Sequence, residues 1–104
     1  MESKHQQFPR LSSKETLILE LLTTKGPMYG LQLVSGSRGQ LKRGTVYVTL
    51  GRMEQKGIIS SDSERLSDNS GLVPRQIYRP TAFGVRVLDI WKRLGRELTL
   101  EFAQ

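Results

Sequence analysis

Apolar residues along this chain follow a helical spacing, switch to a short β-branched run, and then return to a helical spacing. Leu17, Ile18, Leu21 and Leu22 recur on one side of a helix. Ahead of them, Ser12-Ser13-Lys14-Glu15 has the layout of a capping box, in which Ser12 accepts from the free amides of the first turn while Glu15 reaches back. Gly26-Pro27 ends this helix, because glycine takes the left-handed cap conformation and proline cannot extend the ladder. A shorter helix is predicted from Met28 to Val34, with Leu31 and Val34 spaced for burial and Leu33 or Met28 completing the face. Ser35-Gly36-Ser37-Arg38-Gly39 follows as a flexible connection. A third helix is predicted from Lys42 or Arg43 to Gly57. Its buried stripe is Val46, Leu50 and Met53, since steps of four and three residues return to one side.

Thr45, Val48, Thr49, Arg52 and Lys56 stay on the opposite side of that helix, a short face that is polar, basic and without an acid. Past Gly57 the pattern changes. Ile58-Ile59-Ser60 begins a short strand, Ser61 to Gly71 is a polar, turn-rich loop, and Arg75-Gln76-Ile77-Tyr78-Arg79 is the return strand. A hairpin with a long loop flanked by basic residues has the outline of a wing. Pro80-Thr81 then caps a last helix, with Phe83, Val87, Ile90, Trp91, Leu94 and Leu98 along one stripe. Running to Phe102, it would be about 30 Å long at roughly 1.5 Å per residue. The predicted fold class is mainly α with a small β-hairpin, in the order α-α-α-β-β-α. Residues 1–10 read as a mobile arm, 11–80 as the folded head and 81–104 as the terminal helix.

A helix of that length on so small a core leaves part of its apolar stripe uncovered. A second copy of the chain is the simplest cover, because two-fold pairing of identical stripes closes the assembly. The expected partner is therefore a homodimer mate, with Val87, Ile90, Trp91, Leu94 and Leu98 as interface candidates.

Length and charge narrow the function. A chain of 104 residues suits one hydrophobic core. No apolar run approaches the roughly 18 residues of a membrane span, and Met1-Glu2-Ser3-Lys4-His5 has no apolar signal core, so a cytoplasmic protein without membrane contact is expected. The absence of cysteine excludes disulfides, thiolate zinc sites and thiol nucleophiles. Sixteen Lys+Arg against ten Asp+Glu give a formal charge of +6, and the pI is near 10.1. That surplus favours a polyanionic partner. His5, the sole histidine, lies in the arm. Neither a carboxylate pair, a metal-ligand cluster nor a phosphate-cradling glycine loop stands out, so no enzyme, cofactor or metal is expected.

At Gly44-Thr45-Val46-Tyr47, continuing through Leu50, Arg52-Met53-Glu54 and Gly57-Ile58, the chain resembles the PadR family of transcriptional regulators. Their pattern is G-T-[VL]-Y-x-x-L-x-R-[LM]-E-x-x-G-[LI], and every fixed position is present. Tyr29-Gly30-Leu31 is similar to the family's YG opening of the second helix. Tyr78-Arg79-Pro80-Thr81-Ala82-Phe83-Gly84 is similar to its Y-x-L-T-x-x-G stretch, with Pro80 in place of leucine. The segment after the wing is one helix, shorter than the two-helix tail of some members. The resemblance implies a winged helix-turn-helix that dimerises through its C-terminal helix and usually represses transcription. It also admits a small aromatic effector between subunits.

Under that resemblance the third helix enters the major groove of double-stranded DNA. Thr45 and Thr49 then suit phosphate or thymine-methyl contact, and Arg52 suits guanine or phosphate. Lys42 and Arg43 are expected to anchor the backbone, because phosphate contacts outnumber base contacts. Tyr47 has two readings, a packed ring or, as the resemblance implies, a hydroxyl on a phosphate. Arg75 and Arg65 either reach the minor groove or belong to a solvated loop, and Arg79 either joins them or pairs with a carboxylate. Trp91 is a dimer anchor or a wall of an aromatic pocket. Two other functions fit a domain of this kind. One is a plasmid or phage DNA-segregation adaptor on a repeated site, and the other is a protein-interaction winged helix that binds no DNA.

Overall fold

Ser12 opens the first helix as its spacing predicts. Its hydroxyl accepts from the Glu15 amide at 3.2 Å, and the Glu15 carboxylate accepts from the Ser12 amide at 2.9 Å. These bonds start α1 (Ser13–Lys25), which ends at Gly26 with φ 92° and the Gly26 amide donating to the Leu22 carbonyl. The computed structural model describes residues 9–64 and 75–102, with side chains of the last helix followed as far as residue 95.

The next element differs from the prediction. Met28 and Tyr29 form a short strand, β1 (Met28–Tyr29), and α2 (Gly30–Gly36) starts two residues later than expected. Two interactions explain this. Met28 and Tyr29 pair with Tyr78 and Ile77 of the return strand, and the Gln32 side-chain oxygen accepts the Tyr29 amide at 2.8 Å. The altered start rotates the buried face, so Leu33 is fully buried and Leu31 is 45% exposed. The connection after α2 is tied down, not flexible. Ser37, itself buried, donates to the Val34 carbonyl at 2.8 Å and accepts from the Leu41 amide at 2.9 Å. Arg38 and Gly39 make the turn between them with φ of 55° and 84°.

The third helix, α3 (Val46–Gln55), also begins later than predicted. Residues 42–45 form a turn in which the Lys42 carbonyl accepts from the amides of Thr45 and Val46. Lys42 and Arg43 therefore precede the helix. Its underside is the predicted one, with Val46, Leu50 and Met53 buried. Lys56 leaves the polar face assigned to it. Its ammonium lies 2.9 Å from both oxygens of the buried Glu15 carboxylate and donates to the Arg10 carbonyl at 2.8 Å.

β2 (Ile59–Glu64) and β3 (Arg75–Pro80) pair antiparallel from Ile59 opposite Pro80 to Glu64 opposite Arg75. With β1 they make a three-stranded sheet in the order β1-β3-β2 in place of a bare hairpin. The strand continues through Ser61–Glu64, where a loop was expected, because past Ile59 the strand has no core side to give an apolar alternation. Arg65 and the rest of the expected loop tip lie outside the described residues.

Thr81 joins the sheet to α4 (Ala82–Phe102). Its hydroxyl accepts from the Gly84 amide at 2.9 Å and donates to the Gly57 carbonyl at 2.7 Å, while its own amide donates to the Ile58 carbonyl. Val87 and Leu88 then enter the same core as Ile18, Leu22, Leu50 and Ile58. The first turns of α4 thus belong to the head. Pro9 and Arg10, placed by sequence in the arm, are also held: the Trp91 indole N–H donates to the Pro9 carbonyl at 3.0 Å.

Candidate nucleic-acid interface

With Val46, Leu50 and Met53 facing the core, helix periodicity turns Tyr47 to one flank of α3 and Thr45, Thr49 and Arg52 to the other. A hollow opens along each flank. On the α1 side, Thr45, Val48, Thr49 and Arg52 face Ser12, Ser13 and Lys14 across about 440 Å³. On the sheet side, Tyr47 faces Tyr29, Gln32, Arg75 and Gln76 across about 470 Å³. Among the described residues, neither lining contains a carboxylate. Hydroxyls, carboxamides and guanidinium or ammonium groups facing open hollows are the donor set that takes phosphate oxygens.

Gly30 lets the sheet-side hollow form. A Cβ there would lie 2.6 Å from the Tyr47 hydroxyl and ring, so only glycine lets Tyr47 lie across the start of α2. The tyrosine nevertheless stays half exposed, with its hydroxyl toward the hollow. Arg75 stacks its guanidinium 5.0 Å from the centre of the Tyr29 ring, an arrangement that fixes the cation at the hollow's edge. The Tyr29 hydroxyl donates to Glu64, and this hydrogen bond is the main reason its phenol titrates above the ordinary tyrosine value. Tyr78, beneath the same hollow, is also raised, chiefly by burial and then by the charge of Glu54.

The expected DNA-contacting residues therefore fall into three groups. Thr45, Thr49 and Arg52 share the α1-side hollow, Tyr47 and Arg75 share the sheet-side one, and Lys42 and Arg43 stand exposed on the turn ahead of α3. Arg79 follows its alternative reading and pairs with Asp62 at 3.6 Å. Sequence reasoning missed Ser13, Lys14, Gln32 and Gln76. The capping box located the start of α1, but nothing in the spacing showed that this start packs beside α3.

The expected interface residues of α4 separate as well. Ile90 and Leu94 are exposed and lie on one line of the helix with exposed Phe83. Val87 is a correction: it is fully buried in the head and unavailable to a mate. Trp91 is half-buried with its indole turned to Pro9, and the side chain of Leu98 lies outside the described residues. No helix among the described residues is long and apolar enough to cross a membrane.

The model of the transcriptional regulator PadR-like family matches residues 18–90. No curated protein matches the chain. Among solved structures, a PadR family transcription regulator from Clostridium difficile is 29% identical with a TM-score of 0.70, over 89% of this chain and 100% of that one. A PadR family transcriptional regulator from Eggerthella lenta is 31% identical with a TM-score of 0.68, over 85% and 76%. A transcriptional regulator from Clostridium thermocellum is 25% identical with a TM-score of 0.64, over 90% and 95%.

Proposed function

The chain belongs to the PadR-like family of transcriptional regulators, and on that premise we propose that it is a homodimeric repressor that binds double-stranded DNA sequence-specifically. The observation that carries this reading is the pair of acid-free, donor-lined hollows on either flank of α3. A B-DNA major groove is about 12 Å wide, close to the diameter of one helix with its side chains. A helix placed there meets a phosphate rail on each side, and here each rail finds hydroxyl, amide and cationic donors. Lys14, Thr45 and Thr49 serve one rail, Tyr47, Gln32 and Arg75 the other, Lys42 and Arg43 extend the contact ahead of α3, and Arg52 reaches between the rails to a guanine edge. Each neutralised phosphate releases a condensed counterion, so affinity falls as salt rises.

The exposed line of Phe83, Ile90 and Leu94 is the surface for a second copy. A dimer paired through it would read two adjacent major grooves, roughly 34–36 Å apart, with its two α3 helices, which predicts a two-fold symmetric site. Binding near such a site blocks polymerase, which is repression in its simplest form.

Selection from a random duplex library, followed by mobility shift on the winning sequence, tests the reading. An inverted repeat with half-sites one helical turn apart is expected. Arg52→Ala should weaken binding to that duplex by about 1–3 kcal/mol. Failure to enrich any duplex, together with no shift of random duplex at low salt, would overturn it.

A further inference from the structure

We propose that the outer crest of α3, formed by Val48, Gly51 and Gln55 beside Arg52, is the base-reading surface, and that it reads A·T pairs at its two ends. This rests on the DNA-binding reading above and deepens it: Val48 and Arg52 border the α1-side hollow, whereas Gly51 and Gln55 line neither hollow.

The phase of the helix comes first. Positions 48, 51, 52 and 55 stand at i, i+3, i+4 and i+7, the spacing of one continuous stripe. That stripe lies opposite the buried one, and all four of its residues are exposed. From Val48 to Gln55 the crest runs about 10 Å at roughly 1.5 Å per residue, which matches about three base-pair steps.

Two features of the crest have no explanation inside the protomer. Val48 is 58% exposed, the highest value among the exposed large hydrophobics of the described residues, although a β-branched apolar residue in the middle of a helix ordinarily covers something. Gly51 stands inside the helix, where glycine is among the least favourable residues, yet a Cβ there would meet nothing within 4 Å. Gly30 and Gly84 are different, because each is required by a neighbour that a Cβ would strike.

A groove floor explains both. At Gly51 the missing side chain lets the helix backbone come close to the base edges. Val48 supplies an apolar surface for the C5-methyl of thymine, which alone among the four bases presents a methyl group in the major groove. Gln55 offers the donor and acceptor that match N7 and N6 of adenine, and Arg52 lies between them within reach of guanine. The hollows on either side supply the charge complementarity that holds the crest in the groove.

The test uses the full chain and the duplex recovered by selection. Each thymine of one half-site is replaced in turn by uracil, which lacks only the methyl. One replacement should weaken the parent by about fourfold, the worth of one buried methyl group. Val48→Ala should bind the thymine and uracil duplexes alike at that position. Gly51→Ala should melt at or above the parent temperature and yet bind the selected duplex about tenfold or more weakly, which separates a lost approach from a lost fold. If the parent binds its selected duplex while uracil is neutral at every thymine and Gly51→Ala stays within about twofold, the crest does not read bases. If the parent selects no duplex at all, the DNA-binding reading fails and this inference fails with it.

Discussion

Two glycines inside helices should respond to alanine with opposite signs. At Gly84, in the first turns of α4, a Cβ would lie 2.9 Å from the Ile58 carbonyl carbon and 3.1 Å from its Cα, and closer still to the carbonyl oxygen. Ordinary contact begins near 3.4 Å, so the carbon alone requires a shift of 3.4 − 2.9 = 0.5 Å, and the oxygen requires more. The obstacle is backbone and has no rotamer to change. It is also pinned, because the Ile58 carbonyl accepts the Thr81 amide at 3.1 Å and Thr81 caps α4. Overpacking of this kind costs about 1–3 kcal/mol, and a lost buried hydrogen bond roughly 0.5–1.5 kcal/mol more. Against that, alanine gains about 0.5–1 kcal/mol over glycine in a helix interior. The net expectation for Gly84→Ala is a loss of about 2 kcal/mol, or roughly 8–16 °C in Tm for a chain of this size. Gly51→Ala carries the same propensity gain with nothing to strike, so its Tm should rise by a few degrees. Thermal unfolding by circular dichroism at one fixed protein concentration reads both, since a dimer's Tm depends on concentration. A Gly84→Ala protein that melts within about 2 °C of the parent would show that α4 is not locked onto Ile58.

Two further outcomes follow from the geometry. The buried Tyr78 phenol titrates above the ordinary tyrosine value, so the folded chain holds this proton more tightly than the unfolded one. Its contribution is complete below the unfolded value and is lost as pH rises through the folded one; the urea midpoint should therefore fall above about pH 10, and Tyr78→Phe should flatten that decline. For the assembly, sedimentation at micromolar concentration should give twice the 11.8 kDa chain mass, and Ile90→Asp with Leu94→Asp should give the single-chain mass while leaving the circular dichroism spectrum intact. A parent that sediments as a single chain would remove the α4 dimer and, with it, the two-fold site.

Where local chemistry decides the structure, the sequence showed it. The capping box of α1 involves residues three apart, and the α3 stripe of Val46, Leu50 and Met53 depends only on helical phase. Errors arose where distant partners decide. Met28 and Tyr29 read as the first turn of a helix until β3, some fifty residues on, supplies strand partners for them. Leu31 is exposed for the same reason, while Leu33 and Met28, the alternatives for completing the face, are both buried. Lys56 fits a polar helix face by periodicity, but a buried carboxylate in α1 draws it away, and no spacing rule links positions 15 and 56. The candidate site divides in the same way. Thr45, Tyr47, Thr49, Arg52 and Arg75 were legible from α3 and the wing, whereas Ser13, Lys14 and Gln32 joined them only through packing.

That packing also bears on how a mate on α4 would set the position of α3. The C-terminal end of α3 is closed by the Gly57 amide on the Glu54 carbonyl and the Ile58 amide on the Met53 carbonyl. Thr81 takes the carbonyls of Gly57 and Ile58 in turn and caps α4. Three elements therefore meet within two residues of backbone, where direct hydrogen bonds join the chain leaving α3 to the start of α4. On the other flank, Lys56 binds Glu15 and the Arg10 carbonyl, while Trp91 holds Pro9, so α1 and its entry are fixed to the C-terminal end of α3 and to the middle of α4. The Thr81 bonds tie α4 to the end of α3, and Gly84 lies so close to the Ile58 carbonyl that a side chain would not fit between them. In the proposed dimer, the pairing angle of two α4 helices would therefore bear on the separation of two α3 crests. A change at the outer stripe of Phe83, Ile90 and Leu94 would then alter half-site spacing without touching a residue that faces DNA.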